Sequence, residues 1–233
     1  MTARDVCGFT PSQNGLHFAN RFPSQPALRL GLRGVAELGI GNTADGLCGG
    51  LCFTARDLFE AGLQPPATAD PPPFGTAWLD YLVARQIDSF DWLRVPFRFY
   101  VLQLRGRAAL RPALRDEWPK VRADIDDGRL SMLGLIRATG PNPLRLARNH
   151  QVMCFGFEVA PDRLTLRIYD PNWPDRDDVE LRFDLGRPGP GRRPGARRQP
   201  NGSGQPTAEQ STGEPLVTFF RAPYRPRDPR PWS

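Results

Sequence analysis

The chain has 233 residues, 39% of them hydrophobic and 24% charged, the balance of a folded globular domain. No run of about 18 apolar residues occurs, and the N-terminal MTARDVCGFTPSQ lacks the apolar core of a secretory signal. A cytoplasmic location with no membrane partner is therefore expected. The net charge of +6 does not predict a specific nucleic-acid partner. Lys120 is the only lysine, Arg187, Arg192, Arg193, Arg197 and Arg198 share one Pro/Gly-rich stretch, and no base-reading motif or aromatic platform accompanies them.

In chain order, Phe9 to Pro23 reads as extended or turn structure around a short strand, with His17 inside it. Gly49 to Ala61 reads as an amphipathic helix. Leu51, Cys52, Ala55, Leu58 and Phe59 share one face, Asp57 and Glu60 lie off it, and Gly62 with Pro65 and Pro66 ends it. Residues 63 to 73 are a Pro-rich linker. A second helix is predicted near 75–86, helix then strand over Phe90 to Leu104 with Pro96 between them, and a third helix over Glu117 to Asp127. After Gly128 the period changes. Leu130 to Ala138 suits a buried strand, and Thr139 to Asn149 a loop. His150 to Val159 and Leu164 to Asp170, around the turn Ala160 to Arg163, predict an antiparallel hairpin. Val179 to Leu185 and Pro215 to Pro223 are further strands. Residues 186 to 214 contain no Val, Ile, Phe or Trp and read as a disordered insert. Helices first and antiparallel strands later make an α+β plan, with one domain from 1–185 plus 215–225.

Two places carry chemistry. In GLCGG, Cys48 stands at a helix N-terminus, where free N–H groups and the helix dipole favour thiolate. Gly49 and Gly50 leave room there for another backbone or a substrate. Cys52, one turn on, is the alternative nucleophile, but its apolar face predicts a place in the core. In the hairpin, Glu158 opposite Leu164 sets His150 opposite Asn172. A turn tighter by two sets it opposite Asp170. Either partner lies on the face of His150 and can fix the ring, the third role in a nucleophile–base–orienter triad. A zinc site from Cys48, Cys52, Cys154 and His150 lacks a second paired-ligand motif, so no metal and no cofactor are expected.

These motifs resemble the papain-like cysteine peptidases, most closely the branch that cleaves bacteriocin leader peptides. There a Cys-Gly opens the central helix, a His opens a strand of the form H-x-V-x-x-x-G-φ, and the next strand ends in Asp-Pro. The corresponding residues are Cys48-Gly49, His150-Gln151-Val152 with Gly156-Phe157, and Asp170-Pro171. The chain also resembles a group of bacterial proteins with a GLCGG-type helix start and an NHQV…YDPN hairpin. The peptidase resemblance implies a papain-like fold, with the N-terminal helix packed on the sheet. It implies Cys48 as nucleophile, His150 as base and Asp170 as orienter, with Asn172 as the alternative. Asn42 occupies the offset at which the clan carries an oxyanion-hole Gln. The function so implied is a cysteine hydrolase, peptidase or amidase, acting on a peptide or amide substrate through an acyl-enzyme. The alternative is a catalytically silent binding module of the same fold.

Overall fold

The computed structural model describes residues 1–22, 46–186 and 205–230. Seven antiparallel strands form one sheet: β1 (Thr2–Asp5), β2 (Ser131–Ile136), β3 (His150–Val159), β4 (Arg163–Tyr169), β5 (Glu180–Asp184), β6 (Thr207–Gln210) and β7 (Thr218–Arg221). The order is β6-β5-β4-β3-β2-β7, and β1 shares the β2 edge of β3. β2 pairs with the first half of β3, up to Cys154, and β1 with the second half, from Gly156. The helices are α1 (Pro11–Asn14), α2 (Cys48–Glu60), α3 (Ala77–Asp88), α4 (Arg94–Arg105), α5 (Leu110–Asp116) and α6 (Trp118–Asp126). The architecture is α+β.

Two apolar clusters flank α2. One contains Cys52, Phe53 and Ala55 together with the sheet residues Leu133, Val152 and Phe157. The other places Leu51 and Leu58 against Leu79 and Leu82 of α3 and against Leu16 and Phe18. Burying each of these large side chains contributes about 1.5–3 kcal/mol, so the helix is fixed from both sides. This corrects the one-faced helix expected from the apolar spacing. Asp57, off that face, is buried too, because Arg85 of α3 meets it at 2.6 Å.

The glycines at the start of α2 set the approach of α3. A Cβ on Gly50 would sit 2.3 Å from the Leu82 carbonyl oxygen, and one on Gly49 would sit 2.3 Å from Ser89 Oγ. The room they leave is filled by the neighbouring helix rather than by a substrate. The strand expected after Pro96 is instead the rest of α4. Pro96 stands in the first turn, where a helix does not need its N–H.

Residues 205–214, within the expected disordered insert, form β6 and the turn after it, and Thr207–Gln210 pairs with Leu181–Asp184. The rest of that insert, 187–204, lies outside the described residues, as does Asn42.

The hairpin carries an irregularity that the sequence does not reveal. Near the turn Val159 faces Leu164 and Glu158 faces Thr165, a register neither expected pairing contains. Continued unbroken, it would set Asp170 opposite Met153, on the wrong face for His150. A β-bulge between Cys154 and Gly156 resets the count, so that Met153 faces Tyr169. Val152 then falls opposite Asp170, and the carboxylate returns to the face of His150. The main chain of Phe155 is not left idle, since its carbonyl accepts from Val6 N–H at 2.8 Å.

Candidate active site

Cys48 is the first residue of α2. Leu47 caps the helix without a side-chain bond, and its carbonyl accepts from Leu51 N–H at 2.8 Å. Cys48 as a residue is partly exposed. Its sulfur accepts from the Gln151 N–H at 3.4 Å, and the His150 ring is near enough for its charge to act on the thiol. His150 opens β3 and is buried. Its Nε2 bonds Asp170 Oδ1 at 2.7 Å, which leaves Nδ1 for the sulfur.

Asp170 directly follows β4 and is 1% exposed. Three groups besides the ring reach the carboxylate. Asn172 N–H donates to Oδ1 at 2.9 Å, Gln210 Nε2 to Oδ2 at 2.8 Å, and Arg137 Nη2 approaches Oδ2 at 3.4 Å. Arg137 in turn donates to Gln210 Oε1 at 2.8 Å. Asn172 therefore holds Asp170 through its main chain and does not hold the ring. Its side-chain Oδ1 accepts from Asn20 Nδ2 at 3.2 Å. Asn20 Oδ1 accepts from the Leu47 N–H at 2.6 Å. One amide thus ties the residue before Cys48 to the loop after Asp170.

Charge reinforces this order. Burial pushes the Asp170 carboxyl up, but the imidazolium charge and hydrogen bond of His150, with Arg137 and the Asn172 N–H, bring it to about 2. Burial pushes His150 down, and Asp170 and Cys48 together raise it to about 9. Burial also opposes ionisation of Cys48. The charge of the nearby His150 ring outweighs it, with help from the N–H groups of Gln151 and Gly49, and the thiol lies below its ordinary value. The surroundings thus favour the charged form of each member in turn: thiolate, imidazolium, carboxylate.

Cys52 has the opposite surroundings. Its thiol donates to the Gln151 carbonyl at 3.6 Å, and burial, with the charges of Cys48 and Asp170, raises its pKa well above the usual range. The main chain of Gln151 meets both sulfurs, its N–H donating to Cys48 and its C=O accepting from Cys52. Cys154 donates to the Gly156 carbonyl at 3.3 Å and is raised by burial to about 12. Among the described residues no three His, Cys, Asp or Glu side chains are grouped to hold a metal. His17 bonds Asp175 on the surface at 2.6 Å, apart from this chain of contacts.

Gln210, Arg137 and Asn20 join the site without having been expected there. Arg137 had a readable signal, a lone charge closing the apolar run LSMLGLI. Gln210 lies in a polar segment and Asn20 in FANRF, and neither spacing marks it out. No family model, curated protein or solved structure matches the chain.

Proposed function

We propose that the protein is a cysteine hydrolase of papain-like architecture that cleaves a peptide or amide bond through an acyl-enzyme on Cys48. The observation that carries this reading is the grouping of Cys48, His150 and Asp170, with a partly exposed residue carrying the thiol, a ring that lowers its pKa, and a buried carboxylate bonded to that ring at 2.7 Å. A nucleophile at a helix start, a base at the head of the adjacent strand and an orienter directly after the next support the papain-like reading.

The chemistry follows from these charged forms. The thiolate attacks the carbonyl carbon, forming the C–S bond and moving the carbonyl electron pair onto oxygen. The Cys48 N–H, one of the unpaired donors of a helix start, is suited to receive that oxyanion. The His150 imidazolium gives its Nδ1 proton to the amine as the C–N bond breaks, leaving a thioester. Water then attacks the thioester while His150 takes its proton, and the C–S bond breaks to return the thiolate. Asp170 keeps Nε2 protonated throughout and stabilises the imidazolium.

The test is hydrolysis of p-nitrophenyl acetate, followed by release of p-nitrophenol and by peptide mapping after rapid acid quench. The reading predicts a burst, continued turnover and an acetyl group on the peptide containing Cys48. Cys48→Ala removes both phases. An intact wild type that shows neither turnover nor an acetylated Cys48 contradicts the proposal.

A further inference from the structure

Five large apolar side chains stand exposed along α4 and its neighbour. Trp92 is 93% exposed, Leu144 80% and Phe97 69%, with Leu104 and Leu93 about half open. Phe97, Val101 and Leu104 recur at i, i+4 and i+7, one outward stripe, whereas Val95, Phe99 and Gln103 face the core. Leu144 belongs to a 3-10 turn, Pro143–Arg148, beside the same helix. Tyr100 Oη donates to the Pro141 carbonyl at 3.1 Å, and Gln103 Nε2 to the Gly140 carbonyl at 2.8 Å. Asp91, Trp92 and Leu93 have φ of 40°, 55° and 69° in succession, a left-handed run disfavoured for residues with a Cβ. It holds the indole away from the protein.

Charge accompanies the stripe. Arg94, Arg98 and Arg105 form the next row round the helix, and from Trp92 to Arg115 there is no Asp or Glu. Glu117 engages Arg98 at 2.8 Å, and Asp91 lies 3.8 Å from Arg94, which is 81% exposed. Arg105, Arg107 and, on the far side, Arg148 are exposed and carry no ion pair among the described residues.

We propose that α4, with Trp92 and Leu144, is a docking face for an anionic lipid surface, lying in the interface rather than crossing it. The side chains project from a convex helix instead of lining a groove. Acyl chains can close around such projections, while flanking guanidinium groups meet headgroup phosphates. The expectation of no membrane partner rested on the lack of a spanning run, which a peripheral face does not require. This assignment is independent of the chemistry at Cys48.

The test is co-sedimentation of the full chain with vesicles of phosphatidylcholine alone or mixed with phosphatidylglycerol. Binding is expected to the mixed vesicles only, and to weaken as salt is raised. Trp92→Ala combined with Phe97→Ser should lower it by more than about tenfold, and Arg105→Gln about fivefold. All three side chains are exposed, so circular dichroism should be unchanged. Failure of the wild type to bind the mixed vesicles overturns the proposal, as does variant binding equal to wild type. A dimer by sedimentation equilibrium that Phe97→Ser dissolves, without vesicle binding, assigns the face to a second copy instead. A cavity of about 580 Å³ between Phe53, Phe90, Trp92 and Tyr224 opens beside the stripe. Binding lost with Trp92→Ala alone but kept in Phe97→Ser and Arg105→Gln points to a single lipid held in that cavity and overturns the docking face along α4.

Discussion

Asp170 is bonded by the ring of His150, the Asn172 main chain and Gln210, and Arg137 lies close by. Asp170→Asn keeps the shape and removes the charge. The His150 pKa, now about 9, should then fall by about 1–3 units, and that of Cys48 should rise as the imidazolium is lost. With only His17 and His150 in the chain, an NMR titration resolves the change directly. An unchanged His150 titration would show that the carboxylate does not govern the ring. The signs also set a stability profile. A His150 pKa raised from 6.5 to about 9 gives stability present below 6.5 and lost as pH climbs through 9. An Asp170 pKa lowered from 3.8 to about 2 gives stability present above 3.8 and lost as pH falls through 2. The pairing of His150 with a residue two strands' length away was legible because side chains alternate across a strand. The choice between Asp170 and Asn172 was not, because the bulge at Phe155 only returns both to the face of His150: the register beyond it points Asn172 at the ring, while Asp170, two residues back, makes the bond and the Asn172 side chain is taken by Asn20.

At the scale of elements, the close contact of α2 with α3 decides how far Cys48 projects toward His150. Gly50 N–H donates to Gln86 Oε1 at 2.8 Å, and a Cβ there would meet the Leu82 carbonyl at 2.3 Å. A backbone atom cannot swing aside as a side chain can. Gly50→Ala should therefore cost about 1–3 kcal/mol, read as a lower urea midpoint with an unchanged slope. A wild-type midpoint would mean that α3 moves freely away from α2. α2, α3, α6 and the hairpin were legible from their periods, whereas α1, in a stretch that reads as extended, and α5 were not. The second buried face of α2 was not, because Asp57 reads as a solvent-facing residue until Arg85, from another helix, is placed against it. β6 escaped for a similar reason. TAEQ offers one β-branched residue, and its pairing with β5 is supplied by the rest of the sheet.

Across the whole molecule, one buried cluster joins α2, α3 and the segment after β7. Arg85 Nε and Nη2 donate to Asp57 at 2.6 and 3.0 Å, and Nη2 also reaches the Arg225 carbonyl at 2.8 Å. Tyr224 Oη donates to Asp57 Oδ1 at 2.6 Å and the Arg227 N–H to the same oxygen at 3.2 Å. The guanidinium of Arg85 lies 4.8 Å from the centre of the Phe53 ring. Burial pushes the Asp57 carboxyl above its ordinary value, and Arg85 with Tyr224 and Tyr81, whose Oη donates to Oδ2 at 2.9 Å, offsets only part of that. Removing one member leaves a buried charge uncompensated. Arg85→Ala is expected to destabilise the fold by about 3–5 kcal/mol, measured by urea unfolding. A loss below about 1 kcal/mol would mean that Asp57 is hydrated or neutral in the fold. This cluster lies beneath α2, so it steadies the helix that carries the nucleophile without touching the reacting atoms.

The central claim is that Cys48, and not Cys52, is a thiolate held by His150. It is tested most directly by the pH dependence of iodoacetamide labelling, with each site assigned by mass spectrometry, in wild type and His150→Ala. The account predicts that Cys48 labels with an apparent pKa below the ordinary thiol value of about 8.5. Loss of the ring should raise it, because burial then acts with less opposition. Cys52 should label slowly at every pH in the folded protein. An ordinary titration of Cys48 in both proteins, or faster labelling of Cys52, would contradict it.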